Sequence, residues 1–220
     1  MMCSIAGHMS CFPQQLLKAS FPLAFAPTLN TEDYLTRKDN YVIKGLFVCD
    51  DNAKITWIEM GRPGSIHDNQ VWSKSDVYLS KEMYFSNKEY LLGDLAFSAS
   101  SVMVPAFKRG NANLIEDQKY FNTKLAKVQI KRKHCVGLLK ARFQCLQGLR
   151  QVIHSKRDLD VILQMIMCAN ILHNLLINHA IPQHWMVNNM ESEEDEDPEQ
   201  LNNERANWHN QILAYMMEIR

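Results

Sequence analysis

Apolar positions come in short, strand-like runs through the first half of the chain and recur at helical spacing through the second. From residue 41, "YVIKGLFVCD" is followed by a polar turn, "DNA" at 51–53, and then by "KITWIEM". β-Branched and aromatic residues on both sides of a short polar break predict a hairpin. "GRPGS" at 61–65 ends it, and "IHDNQVWSKSDVY" predicts a short helix. "EYLLGDLAF" at 89–97 is short and apolar enough for a central strand. From about Asp117 to Arg150 the period changes. Leu125, Val128, Val136, Leu139, Phe143 and Leu146 recur near 3.6 residues or its multiples, with Arg132 filling one gap. A second helix is predicted from about Asp158 to His179. Its apolar run, "VILQMIMCANILHNLLI" from Val161, is broken by Gln164, Asn170, His173 and Asn174, so it reads as a buried helix and not as a membrane span.

Strands that lead into helices, with the helices concentrated late, predict an α/β or α+β layered domain. Residues 1–20 show no clear period and differ in pattern from the rest of the chain. "ESEEDEDPEQ" puts seven acidic residues into nine positions. Such a run repels itself and cannot pack, so 181–200 is expected to be a disordered linker. "LNNERANWHNQILAYMMEIR", 201–220, fits a short amphipathic helix.

Composition changes this picture in two places. The chain of 220 residues is 46% hydrophobic, enough for one domain with a real core. Its formal net charge is zero, but residues 191–220 hold nine acidic and two basic residues, leaving a net of +7 on residues 1–190. A polyanion such as DNA is therefore open as a partner. Six cysteines without a CxxC pair suggest reduced, buried thiols in an intracellular protein. The first twenty residues have neither a basic start nor an uninterrupted apolar run, so no signal peptide is expected.

Three stretches carry candidate chemistry. "GRPGSIHDNQVW" sets His67 and Asp68 together after a glycine-rich break. "YLLGDLAF" sets Asp94 at the C-terminal end of an apolar strand, the edge where open α/β sheets place ligand residues. "IKRKHCVGLLKARF", 130–143, is a basic helical segment. His67–Asp68 lacks the further His and Asp ligands that a His-Asp phosphohydrolase needs. His134, His154, His173 and His179 share no zinc spacing, and "LHNLL" reads as core packing with a polar edge.

Taken in order, "FPLAFAPTLNTEDYLTRKDNY", "VCDD", "GRPGSIHDNQVW", "EYLLGDLAFSASSVMVPAFK", "YFNTKLAKVQIKRKHCVGLLKARFQCLQGLR" and "CANILHNLL" resemble the transposase domain of the PIF/Harbinger superfamily over roughly residues 21–180, its fungal members especially. The resemblance implies an RNase H-like mixed sheet flanked by helices. It also implies three carboxylates holding two Mg²⁺ or Mn²⁺ ions, which cut DNA by stabilising the attacking and leaving oxygens. Asp94 matches the second carboxylate. The third falls on Lys133, with Gln129 where an Arg is usual and Lys140 where a Lys is usual. On a helix, 129, 133 and 140 lie within about 40° of one another.

The first carboxylate belongs in an Asp-Gly-Thr just before "FPLAFAP", and an ungapped count puts it at Leu17. Residues 1–20 are therefore expected to be an unrelated start, leaving the first strand incomplete. Asp68 is expected as a helix cap or as an acid beside the old site, and Asp94 with Asp68 as the remnant of a metal site. Lys127, Lys131, Arg132, Lys140 and Arg142 are the candidates for DNA phosphates, with a solvated helix face as the alternative. No DNA-reading module is visible upstream, so sequence-specific recognition would need such a reader on this protein or on a separate DNA-binding partner protein.

The expectation is a degenerate, transposase-derived nuclease domain, nuclear by family and without membrane association. Two readings compete with it: a non-enzymatic DNA- or protein-binding module, and a fragment that folds poorly.

Overall fold

The computed structural model describes residues 14–86, 89–108 and 115–185, without the side chains of 128–134 and 183. Five strands form one sheet: β1 (Gln14–Pro22), β2 (Val42–Cys49), β3 (Ile55–Pro63), β4 (Leu91–Leu92) and β5 (Met103–Val104), in the order β3-β2-β1-β4-β5. The first three are antiparallel neighbours, whereas β4 runs parallel to β1 and β5 parallel to β4. The helices are α1 (Thr31–Tyr34), α2 (Asp68–Ser73), α3 (Asp76–Leu79), α4 (Lys81–Tyr84), α5 (Glu116–Arg142) and α6 (Lys156–Leu175). This is an α/β fold of the RNase H-like kind, as expected.

Side chains alternate across β1, and this separates two cores. Leu17, Ala19 and Phe21 face one side with Ile43, Phe47 and Cys49 of β2, against Cys135 and Leu139 of α5 and Ile162 and Ile166 of α6. Leu16 faces the other side with Leu46 and Val48 of β2, against Trp57 of β3 and Val71 and Trp72 of α2. The front of α5 closes a third, smaller cluster, with Phe121 and Leu125 against Leu92 and Val104. Each buried side chain of this size contributes about 1.5–3 kcal/mol.

The structure departs from the expected elements at several places. The strand expected to be incomplete is present: Gln14–Pro22 is central in the sheet and pairs with β2 from Gln15 to Pro22. Its pattern is hard to read because it is covered on both faces and carries a lysine. The strand expected over 89–97 shrinks to Leu91–Leu92, because the chain turns at once. Gly93 passes so close to β5 that a Cβ there would sit 2.5 Å from the Met103 sulfur. The long helix ends at Arg142, not Arg150, because Leu149 is drawn to the end of β1, its N–H donating to the Pro22 carbonyl at 2.8 Å. The helix read as buried is buried on one face only. Ile162, Leu163, Ile166, Ala169, Asn170 and His173 point inward, while Val161, Met165, Ile171, Leu172 and Leu175 are exposed. Residues 1–13 and 186–220 lie outside the described residues, so the linker reading beyond 185 and the helix reading over 201–220 do too.

The polar edge of "LHNLL" fastens α6 to the sheet. The Asn174 side chain accepts from the Ile55 N–H at 2.9 Å and donates to the Ile55 carbonyl at 2.7 Å, extending the ladder at the edge strand β3. His173 reaches the Ala53 carbonyl at 3.0 Å. At its other end, α6 is closed by Ser155 and Asp158, each accepting from the other's backbone N–H. Replacing Asn174 by Ala leaves both Ile55 groups without their partner. Asn174→Ala is expected to lower stability by about 1–3 kcal/mol, read as an earlier urea midpoint at unchanged slope.

Candidate active site

The site is built where the sheet's second face meets the ends of two turns. After β3 the chain reverses through "GRPGS". Gly64 is required there, since a Cβ would come within 2.5 Å of the Tyr34 carbonyl oxygen. That reversal places Asp68 in the first turn of α2, against the sheet, where it is 4% exposed. The β4 turn brings Asp94 to the same place. Asn69, the neighbour of Asp68, ties the two turns together by accepting from the Ser98 N–H at 3.0 Å.

Two lysines from the sheet meet these acids. Lys18 of β1 lies 3.8 Å from Asp68 Oδ2 and 3.8 Å from Asp94 Oδ2. Lys44 of β2 lies 3.4 Å from Asp68 Oδ1 and donates to the Ile66 carbonyl at 2.9 Å, which holds the approach to α2. The side chains of Asp68, Lys18 and Lys44 are 6%, 14% and 12% exposed. Asp94 is more open at 20%, and its Oδ1 accepts from the Leu95 N–H at 2.6 Å, which closes the turn. The result is a charge-balanced cluster of two carboxylates and two ammonium groups, largely out of water.

This arrangement tests the implied metal directly. Mg²⁺ or Mn²⁺ needs several oxygen ligands at once. Asp68 and Asp94 do converge, but the Lys18 ammonium bridges them. A divalent ion about 4 Å from that ammonium would be repelled by on the order of 8 kcal/mol at an effective dielectric near 20. Leu17, the counted position of the first carboxylate, points to the opposite face and is packed in the helix-side core. Position 133 lies on α5, on that same helix side, and its side chain is outside the described residues. Among the described residues, no group of three His, Cys, Asp or Glu side chains is arranged to hold a metal. The residues present do not fit a two-metal centre.

The candidates for DNA contact divide. Lys127 is exposed on α5. Lys131 and Arg132 lie on the same helix, with side chains outside the described residues. Lys140 is half-buried, with its ammonium 5.9 Å from the centre of the Phe21 ring. Arg142 is engaged within the fold, donating to the His173 carbonyl at 3.1 Å and the His179 carbonyl at 2.5 Å. It closes the C-terminal end of α6. Partial burial lowers the pKa of its guanidinium.

Sequence reasoning missed Lys18, Lys44 and Asn69. Lys18 stands in "LLKASF" and Lys44 in "YVIKGLF". A lone lysine inside an apolar strand was the signal, because a buried ammonium requires a carboxylate.

With this geometry in hand, comparison with known proteins settles the family. The model of the DDE superfamily endonucleases matches residues 21–174. The chain belongs to the DDE superfamily endonucleases. Among curated relatives, the Xenopus laevis protein named "Putative nuclease HARBI1" is 26% identical over 154 residues, covering 69% of this chain and 43% of that protein. The Homo sapiens and Mus musculus proteins of the same name are 24% and 23% identical over 158 and 156 residues, each covering 71% of this chain and 43% of the relative. The chain thus spans less than half the length of these relatives. No solved structure matches.

Removing one member of a buried charge cluster strands the others. Asp68→Ala, which removes the carboxylate that both ammonium groups meet and leaves Asp94 to Lys18, is expected to cost about 3–5 kcal/mol in chemical denaturation. Adding Lys18→Met and Lys44→Met to that variant is expected to recover most of the loss. A triple variant no more stable than the single one would mean that the lysines are not held in place by Asp68.

Proposed function

We propose that this chain is a transposase-derived DDE domain that no longer cleaves DNA and whose old acidic site is a structural charge cluster. One observation carries the reading: the Lys18 ammonium sits between Asp68 and Asp94, 3.8 Å from each. Leucine and lysine at positions 17 and 133 support it, since neither supplies an oxygen to a hard cation. The family match and the HARBI1 likeness support descent from a metal-dependent nuclease.

What such a domain retains is a shape for binding. Helix α5 is 27 residues long, about 40 Å. It presents exposed Lys124 and Lys127 and carries Lys131, Arg132 and Lys133 in its sequence. With the net charge of +7 on residues 1–190, this favours contact with DNA phosphates in the nucleus, independent of sequence. Any sequence recognition would then come from a DNA-reading module, on this protein or on a separate partner. No helix among the described residues is long and apolar enough to cross a membrane.

The chemistry is tested by plasmid nicking with Mg²⁺ or Mn²⁺. The native chain and Asp94→Ala are both expected to leave the plasmid intact. Nicking by the native chain that Asp94→Ala abolishes overturns the proposal. Binding is tested separately, by titrating labelled duplex DNA from about 50 mM salt upward. Affinity is expected to fall steeply with salt, and less steeply for the combined Lys127→Ala, Lys131→Ala and Arg132→Ala variant. No binding at the lowest salt would remove DNA as the partner.

A further inference from the structure

Between α5 and the sheet lies a pair of thiols that no nuclease chemistry requires. Cys49 ends β2 and Cys135 is on α5; both are completely buried, and their sulfurs are 2.7 Å apart. The surroundings are polar for so deep a position. The Ala53 carbonyl accepts from the Cys135 thiol at 3.3 Å and meets the His173 ring at 3.0 Å, so that β2, α5 and α6 converge on one oxygen. Ala53 aims that carbonyl inward from a left-handed backbone, φ 61°, in the turn after Cys49. A non-glycine residue is uncommon in that region. His173 is itself fully buried, and its Nδ1 has no hydrogen-bond partner among the described residues. The hydrogen bond with Cys49, and after it His173, pull the pKa of the Cys135 thiol below the ordinary cysteine value, against burial and the nearby Asp50. A thiolate is the reactive form of cysteine.

We propose that Cys49 and Cys135 are an oxidisable pair, which a peroxide converts into a disulfide stapling α5 to the end of β2. A peroxide is the oxidant class that fits, because both sulfurs are shut off from bulky reagents. The Cys135 thiolate attacks one peroxide oxygen, the O–O bond breaks, and the departing hydroxide takes the proton lost by Cys135 and leaves as water. The product is a sulfenic acid on Cys135. The Cys49 sulfur then attacks the Cys135 sulfur, forming the S–S bond and breaking the S–O bond. The expelled hydroxide takes the Cys49 proton as a second water. The two sulfurs together give up two electrons, and the peroxide oxygens accept them.

The consequence is local and definite. Cys135 stands two residues beyond Lys133, so the staple fixes the stretch of α5 that carries the position of the third carboxylate. It also closes a loop between positions 86 residues apart, which restricts the unfolded chain. Cys145 and Cys168 are exposed, so they report general oxidation as an internal reference.

The test treats the full native chain with hydrogen peroxide, blocks remaining thiols with iodoacetamide, and digests without reduction. The expected result is a cross-linked peptide pair containing Cys49 and Cys135, about 2 Da lighter than the two free peptides together. Dithiothreitol is expected to reverse it, and the oxidised chain to unfold at a higher temperature than the reduced one. In Cys49→Ser the cross-link is lost, and Cys135 is expected to go on to the sulfinic acid. The proposal is overturned if both peptides stay uncross-linked in the native chain while Cys145 and Cys168 have reacted. It is equally overturned if the cross-link forms only in urea. The native-chain result decides the matter even if the serine variant fails to fold.

Discussion

A lysine in the middle of a central strand must find negative charge, and much of this molecule is arranged around that need. Lys18 lies on β1, which has neighbours on both edges and packed layers on both faces. An ammonium placed there without a partner would cost several kcal/mol. Asp68 and Asp94 supply the charge from two separate turns, and Lys44 balances the second oxygen of Asp68. The sharp reversal at Gly64, the short β4 and the early turn after Gly93 all serve to bring those acids to the sheet. The cluster therefore joins the sheet to α2 and to the β4 loop, and Asn69 adds a neutral link between the same two segments.

The same cluster shows how the two acids of this DDE-type fold are held together. A two-metal centre keeps acidic oxygens close together and depends on cations to offset their repulsion. In this chain a covalently attached cation plays that part. Lys18 and Lys44 together offset the two acids, so the fold holds ion pairs at Asp68 and Asp94. On the other face Leu17 places an aliphatic side chain in the core beneath α5.

Much of the architecture was legible in the sequence. The hairpin of β2 and β3, the two long helices and the late concentration of helices all come from periodicity, because their apolar faces meet one continuous core. Asp94 was legible as a strand-end acid from "YLLGDLAF", and the family from six ordered stretches. β1 was not legible. It is buried on both faces, begins with two buried glutamines and contains a lysine, so neither alternation nor a clean apolar run marks it. The role of Arg142 was equally hidden, because the carbonyls it caps lie at the end of α6, more than thirty residues away in the chain.

The sequence by itself determined most of the elements, the family, and the presence at positions 17 and 133 of side chains without an oxygen, since residue type decides what a side chain can coordinate. Only the tertiary structure decided what the remaining acids do. Asp68, Asp94, Lys18 and Lys44 are spread over more than seventy residues, and their pairing depends on the register of β1 against β2 and on two tight turns. The meeting of Cys49 with Cys135 likewise depends on where α5 comes down on the sheet. Charges and thiols act over a few ångströms, and distances of that kind are set by packing rather than by order along the chain.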